Sequence, residues 1–302
     1  MTTGEPAATG EPAATGEPAA TGDPAATAPR APEALGGSGG ALPAPPVDQF
    51  DPQTRTALSN LLLATADDEF VLGFWDSEWT GIAPILEEDV AFASLAQDEI
   101  GHAQALYQLL AELEEGDPDA IAFGRPPEGY RHARLLDHPR TDWAFSVARR
   151  FLYDTADAAR LDALAASAYV PLAGVVAKMR REETYHLLHM HAWLERLATG
   201  GEEPRARLVA AMERLWPDAL CVLDGVEGDD LLVSAGILAE PLAEVRRRWL
   251  AGLAPELARL GLPSPPAAGA PGACRGPDRS DDFRWLWEQF TMVRRSDPEA
   301  VW

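Results

Sequence analysis

The sequences DEIGH at residues 98–102 and ETYH at residues 183–186 each place a histidine three residues after a glutamate. Around both segments, large apolar residues recur every three or four positions, which predicts two amphipathic helices. The i, i+3 spacing puts each glutamate and its histidine one turn apart on the same face, and this face is otherwise apolar. Because charge on an apolar face is costly without a compensating partner, the two motifs indicate a buried binding site.

An acidic residue precedes each motif at a matched distance. Glu69 lies 30 residues before Glu99, and Asp154 lies 29 residues before Glu183. Asp68, on an adjacent helix face, could take the place of Glu69. Four carboxylates and two imidazoles form the ligand set of carboxylate-bridged di-metal centres in helix bundles. The predicted metal ligands are Glu69, Glu99, His102, Asp154, Glu183 and His186.

The two motifs together are more specific than either one alone. A single Glu-x-x-His sequence occurs by chance on many helices, usually with a solvated glutamate. Two motifs on apolar faces, with matched carboxylates, favour a metal centre. Asp98 and Glu182, beside the predicted ligands, are interpreted as solvent-facing. Asp157 is interpreted either as a group that supports the ligands or as a surface acid.

The periodic segments predict an all-α protein with a ferritin-like four-helix bundle. Short connections join the first helix to the second and the third to the fourth, whereas residues 114–140 form one long crossover. A single long crossover between two antiparallel pairs is typical of ferritin-like bundles. The four predicted helices cover about residues 52–77, 84–113, 141–165 and 171–197, and shorter helical segments follow at 204–220, 241–260 and 281–294.

The composition changes sharply near residue 47. A six-residue repeat, TGEPAA, opens at Thr3 and is followed by Ala, Pro and Gly with almost no branched or aromatic side chains. Such a sequence cannot bury enough apolar surface to fold, so residues 1–47 are predicted to be a disordered low-complexity tail. Residues 48–302 are predicted to form one ferritin-like helical domain, with a core bundle at 52–198 and accessory helices at 201–302.

Charge and cysteine content restrict the partners and the compartment. The net charge of −23 disfavours binding to nucleic acid or to an anionic membrane. The two cysteines, Cys221 and Cys274, suggest neither a disulfide framework nor a metal motif, which fits a reducing cytosol. No apolar run approaches twenty residues, and no charged-then-apolar leader is present. We therefore expect a soluble cytoplasmic protein.

Six short segments form a recognisable pattern: SEWTG at 77–81, AP at 83–84, LEED at 86–89, YHL at 185–187, WLERL at 193–197 and LWP at 215–217. With them, the chain resembles the C-type component of the bacterial phenylacetyl-CoA ring 1,2-epoxidase, which is a ferritin-like di-iron oxygenase of several chains. The resemblance covers roughly residues 55–300.

The resemblance implies a role in a multicomponent monooxygenase of aerobic phenylacetate degradation. In such a complex, the di-iron site lies in a catalytic A-type subunit, which oxidises the acyl-CoA substrate. A small B-type subunit is accessory, and an NADPH-dependent reductase supplies electrons. The C-type subunit is a scaffold that pairs with the A-type subunit.

The ligand set departs from this resemblance, because C-type subunits often lack some of the ligands whereas this chain has all six. The chain could therefore be a scaffold that also binds two iron ions, or manganese, or a scaffold with a vestigial site and no metal. The alternative is a self-contained di-iron or di-manganese oxygenase, or a ferritin-like protein that handles metal or peroxide without an organic substrate. Without metal, the four crowded carboxylates are expected to have raised pKa values.

Overall fold

The computed structural model describes residues 50–114, 116–265 and 273–297. Within these residues the chain forms nine α-helices and no β-strand, so the all-α prediction is confirmed. The predicted disordered tail, residues 1–47, lies outside the described residues. The helices are α1 (Pro52–Ser77), α2 (Leu86–Glu114), α3 (Pro118–Phe123), α4 (Trp143–Leu164), α5 (Val170–Thr199), α6 (Glu202–Ala219), α7 (Asp229–Ser234), α8 (Leu242–Leu260) and α9 (Asp281–Ser296).

Two helix pairs form the bundle. α1 packs along α2, α4 packs along α5, and contacts between α2 and α5 join the two pairs. Short connections at residues 78–85 and 165–169 make the helices of each pair antiparallel. The long connection between α2 and α4 contains α3 and two 3-10 turns, at Pro127–Gly129 and Arg134–Asp137. This is the predicted ferritin-like connectivity.

Local side-chain chemistry sets the helix boundaries. α1 begins after Asp51, whose carboxylate accepts two backbone hydrogen bonds from the first turn. α4 begins two residues later than predicted because Asp142 caps it and accepts the N–H of Phe145 at 2.8 Å. α2 also begins two residues later than predicted, at Leu86, and three acidic side chains occupy its first turn. Negative charge at that end is favourable because the helix dipole is positive there.

Helix α1 is buried on every side over residues 64–73. α2, α7, α9 and the second 3-10 turn of the crossover all pack against it. As a result, three consecutive acidic residues, Asp67, Asp68 and Glu69, are fully buried although they point in different directions. Each of these carboxylates therefore needs its own partner inside the protein.

The helices that follow the bundle pack onto it. α6 and α8 contact α4, and α9 lies against α1. On α9, Trp285 stacks on Trp75 with 6.2 Å between ring centroids, and the indole of Trp287 donates to the carbonyl of Arg125 at 2.9 Å. In the described part of the chain, no helix is both long enough and apolar enough to cross a lipid bilayer.

The two cysteines contradict the expectation of unpaired thiols. Cys221 and Cys274 form a disulfide, with their Cα atoms 5.0 Å apart. The partners are separated by 53 residues and meet only when the segment before α9 folds back onto the end of α6. Their spacing in the sequence therefore could not reveal the pairing. The bond lies next to Arg275, whose guanidinium donates to the carboxylate of Asp68 at 2.9 Å.

Candidate metal centre

All six predicted ligands lie inside the bundle, and each is at most 3% exposed. The four long helices direct four carboxylates and two imidazoles into one region of the core, as the sequence motifs predict. They are Glu69 on α1, Glu99 and His102 on α2, Asp154 on α4, and Glu183 and His186 on α5.

Four of these residues converge on one point. Glu69, Glu99, His102 and Glu183 each offer a ligand atom, and these atoms all lie within 4.8 Å of one another. The Nδ1 atom of His102 is 3.3 Å from Glu69 Oε2, 3.6 Å from Glu99 Oε2 and 3.7 Å from Glu183 Oε1. One imidazole nitrogen and three carboxylates therefore surround a space where a metal ion could bind.

The second histidine lies on the other side of two of these carboxylates. His186 Nδ1 is 2.9 Å from Glu183 Oε1 and 3.3 Å from Glu99 Oε1. The rings of His102 and His186 are 6.2 Å apart. Glu99 and Glu183 thus face both imidazoles, which is the position that bridging carboxylates take between two metal ions.

The outer nitrogen of each histidine contacts an acidic residue of the opposite motif. His102 Nε2 is 2.8 Å from Glu182 Oε2, and His186 Nε2 is 3.3 Å from Asp98 Oδ2. Hydrogen bonds to the outer nitrogens orient the rings so that both Nδ1 atoms face the centre. Asp98 and Glu182 were expected to face solvent; their side chains are 35% and 30% exposed, but each contacts a histidine. The signal in the sequence is that an acidic residue precedes the glutamate in both motifs.

Glu69, rather than Asp68, faces the centre. Glu69 accepts a hydrogen bond from the Tyr153 hydroxyl at 2.8 Å in addition to its contact with His102. Asp68 points to a neighbouring face of α1, where the guanidinium groups of Arg160 and Arg275 bind it at 2.8 and 2.9 Å. Because Asp68 is fully engaged by two arginines, it does not substitute for Glu69.

Asp157 lies one turn after Asp154 and is buried, so it is not a surface acid. The Arg160 Nε atom donates to its Oδ1 atom at 2.8 Å. Burial raises the pKa of Asp157 to about 6, although Arg160 acts in the opposite direction. Arg160 thereby connects this acid to the carboxylate of Asp68.

Asp154 has a different neighbour, which the sequence motifs did not indicate. The fully buried Arg150 places its Nε atom 3.2 Å from Asp154 Oδ1. Its Nη1 atom is 2.7 Å from Glu99 Oε1 and 2.8 Å from Asp76 Oδ2. Arg150 precedes Asp154 by four residues and so shares its helix face, which was the available signal.

Comparison with known proteins agrees with this geometry. A family model described as phenylacetic acid catabolic protein matches residues 33–302. The chain belongs to this family. It is 33% identical over 193 residues to the C component of the 1,2-phenylacetyl-CoA epoxidase of Escherichia coli (strain K12). The matched residues cover 64% of this chain and 77% of that protein. It is 26% identical over 228 residues to the A component of the epoxidase from the same organism, covering 73% and 72% of the two chains. The resemblance identified from short motifs is thus confirmed.

In this member of the phenylacetic acid catabolic protein family, the carboxylates of the centre differ in acidity. Burial and the charge of Glu99 raise the pKa of Glu69 well above its usual range. Burial also raises the pKa of Asp154 well above its usual range, although Arg150 opposes this. Burial acts against the charged form of Glu99 too, but Arg150 and hydrogen bonds hold its pKa well below the usual value. The expectation that all four pKa values are raised is therefore wrong for Glu99.

Both histidines of the centre are strong bases. Burial disfavours the protonated form of His102, but hydrogen bonds to Glu69 and Glu99 outweigh it and raise the pKa of His102 to about 12. In the same way, burial is outweighed by Glu183 and Glu99, which raise the pKa of His186 to about 11. Because carboxylates surround them, the imidazoles are cationic at neutral pH. A metal ion must displace these protons, because only a neutral imidazole can act as a ligand.

The residues of the centre fit a transition-metal site. Imidazole nitrogens combined with carboxylate oxygens suit iron, manganese and similar divalent ions. Among the described residues, three buried carboxylate oxygens of the centre have no hydrogen-bond partner, namely Glu99 Oε2 and both oxygens of Asp154. Since buried polar atoms are normally paired, these oxygens are available to a cation. The buried cluster can therefore hold a metal ion.

Proposed function

We propose that this chain is a C-type subunit of a multicomponent phenylacetyl-CoA 1,2-epoxidase in aerobic phenylacetate degradation. The observation that carries the proposal is the similarity to the C component of such an epoxidase, which is higher than the similarity to the A component. The partners are then a catalytic A-type subunit, a small B-type subunit, and an NADPH-dependent reductase. The complex acts on an acyl-CoA in the cytoplasm, where CoA thioesters and NADPH are found.

The six predicted ligands form a metal centre of this chain. One position is formed by Glu69 and His102 and the other by Asp154 and His186, with Glu99 and Glu183 shared between them. Four carboxylates and two neutral imidazoles balance the charge of two divalent ions, which we propose to be iron, with manganese as the alternative. A pair of iron ions held by these residues would supply O2 activation, the chemistry by which such centres insert one oxygen atom into an organic substrate.

The side chains of the centre hold the ligands in place and control their protons. Asp98 and Glu182 each accept the Nε2 proton of a histidine, which leaves Nδ1 free as the ligand atom. The Tyr153 hydroxyl donates to Glu69 and fixes its carboxylate on the His102 side. The fully buried Phe92 and Leu95, in the turns of α2 before Glu99, help to exclude water from this end of the centre.

Two surface pockets of about 350 Å³ are lined by none of the six ligands. One pocket is lined by residues of α1 and α2 that include Gly73 and Gln97. The other lies between α4, α5 and α8 and includes Thr155 and Trp249. None of the six ligands lines either pocket, so a substrate bound there would not touch the centre.

Reconstitution tests the proposal. The purified chain is mixed with reductase, NADPH and phenylacetyl-CoA, with and without the A-type subunit, and epoxide formation is measured. We expect the chain to support turnover only when the A-type subunit is present, and we expect the two chains to co-purify. Full turnover without the A-type partner would show that this chain is itself catalytic.

The complete ligand set supports a second candidate, a self-contained oxygenase or a protein that consumes peroxide without an organic substrate. The double variant Glu99→Ala/Glu183→Ala in the reconstituted complex separates these roles. If epoxide formation with the A-type subunit is unchanged, the centre does not take part in the epoxidation. Peroxide consumption by the iron-loaded chain alone, lost in the same variant, would favour the second candidate.

A further inference from the structure

Arg150 places a permanent positive charge inside the metal centre. Its side chain is fully buried on α4, one turn before Asp154. The guanidinium contacts two predicted ligands, through Nη1 to Glu99 Oε1 at 2.7 Å and through Nε to Asp154 Oδ1 at 3.2 Å. Because arginine keeps its proton in proteins, this charge does not disappear when a metal ion arrives.

The charge of Arg150 makes the His102 side and the His186 side of the centre unequal as positions for a metal ion. On the His102 side, four ligand atoms already lie within 4.8 Å of one another, and Asp154 and His186 are not among them. On the His186 side, the guanidinium donates to Glu99 Oε1 and lies 3.2 Å from Asp154 Oδ1, so its positive charge is next to the oxygens that a second ion would use. A divalent ion on this side must displace Arg150 from Glu99 and Asp154, and it is repelled by the guanidinium as long as both remain close.

Asp76 offers Arg150 another position. Arg150 Nη1 already donates to Asp76 Oδ2 at 2.8 Å, and Asp76 Oδ1 has no hydrogen-bond partner within the described residues. The Nε and Nη2 atoms of Arg150 are likewise without a hydrogen bond in the described structure. A rotation of the guanidinium towards Asp76 Oδ1 would give this oxygen a donor, release Glu99 Oε1 and withdraw the positive charge from Asp154.

We propose that Arg150 makes the two metal positions fill in order, an inference that rests on the metal centre of the proposed function. The position formed by Glu69, Glu99, His102 and Glu183 binds first and tightly. The position at Asp154 and His186 binds more weakly, because Arg150 must first move onto Asp76.

Metal titration of the complete chain tests this order. Metal-free protein is titrated anaerobically with Co(II), followed by calorimetry and by the visible absorption of bound cobalt. We expect two steps in the wild type whose Kd values differ by about tenfold or more. In Arg150→Met, we expect the ratio of the two Kd values to fall by about tenfold, mainly because the second site becomes tighter.

Arg149→Met is the matched control. Arg149 is also fully buried on α4, and its Nη2 atom lies 3.7 Å from the same Asp76, but its hydrogen bond goes to the carbonyl of His138. This variant should keep the unequal steps of the wild type. If Arg150→Met does not fold, Arg150→Met/Asp76→Asn removes the guanidinium together with the carboxylate that its Nη1 atom binds, and should give the same result.

The outcomes separate the inference from the proposed metal centre. Two equal sites in the wild type overturn the inference and leave the metal centre intact. An unchanged Kd ratio in the folded Arg150 variants, or an equal effect of Arg149→Met, also overturns it. Absence of cobalt binding in the wild type and in all variants would overturn both the metal centre and the inference.

Discussion

Asp98 and Glu182 decide which nitrogen of each histidine faces the centre. Each carboxylate comes from the helix opposite its histidine, so α2 orients a ligand of α5 and α5 orients a ligand of α2. A ligand histidine whose outer N–H is held in this way keeps its ring orientation and its basicity. Two side chains that are about one-third exposed thereby control atoms in a fully buried centre.

Removal of these two charges should weaken metal binding. In Asp98→Asn/Glu182→Gln, we expect the affinity for Co(II) to fall by about 10- to 100-fold, because the imidazoles lose their orienting acceptors. Glu195→Gln is the control, since Glu195 lies on α5 but pairs with Arg259 at the surface. Competition with a chelator of known affinity measures the change. Equal affinities in all three proteins would refute the orienting role.

The buried acids of helix α1 depend on positive charges from other parts of the chain. Its three consecutive buried acids have separate roles: Asp67 pairs with Arg125, Asp68 with Arg160 and Arg275, and Glu69 faces the centre. Only the last of these carboxylates is in a position to bind metal.

Replacing Asp68 should mainly lower stability, whereas replacing Glu69 should mainly weaken metal binding. Asp68→Asn should lower the free energy of unfolding by about 3 to 5 kcal/mol, because Arg275 loses its carboxylate partner and Arg160 keeps only Asp157 and Glu69. The folded variant should still bind metal like the wild type. Glu69→Gln should weaken metal binding and change stability less. Urea unfolding and cobalt titration check both expectations; metal loss in folded Asp68→Asn would show that the ligand is misassigned.

The sequence allowed the long helices to be predicted because their signals are local. Apolar periodicity placed the ends of all four long helices within two residues, and the Glu-x-x-His motifs placed four ligands on inward faces. The short helices α3 and α7 were not predicted, since six residues carry too little periodicity. Arg150 was missed because its partners lie on α1 and α2 as well as on α4. The Cys221–Cys274 bond was missed because its halves meet only in the folded protein.

For the whole molecule, the centre makes the stability of the metal-free fold depend on pH. The pKa values of His102 and His186 are raised to about 12 and about 11 from an unfolded value near 6.5. Protonation of these histidines therefore contributes stability that is fully present below about pH 6.5 and is lost as the pH rises through the folded values. The raised pKa values of Glu69 and Asp154 act in the same direction from about pH 4 upward.

Urea unfolding of chelator-treated protein between pH 6.5 and 9 tests this. We expect the free energy of unfolding to fall on the order of 1 kcal/mol per pH unit. The metal-loaded protein should show a flatter profile, since its imidazoles bind metal instead of protons. His138→Gln, which removes a histidine paired with Asp218 near the surface, should keep the slope. If the free energy of unfolding of the metal-free wild type did not change with pH, the buried histidines and acids of the centre would not be the source of a pH-dependent stability.

The most direct test of the metal centre is the number of metal ions that the complete chain binds. Equilibrium dialysis against excess Fe(II) under anaerobic conditions, followed by elemental analysis, measures this number. We predict about two ions per chain for the wild type. The control Glu195→Ala/Glu213→Ala, which removes two exposed glutamates, should bind the same number, and Glu99→Ala/Glu183→Ala should bind almost none. Wild-type protein that binds no iron, or binds the same amount as Glu99→Ala/Glu183→Ala, would contradict the metal centre.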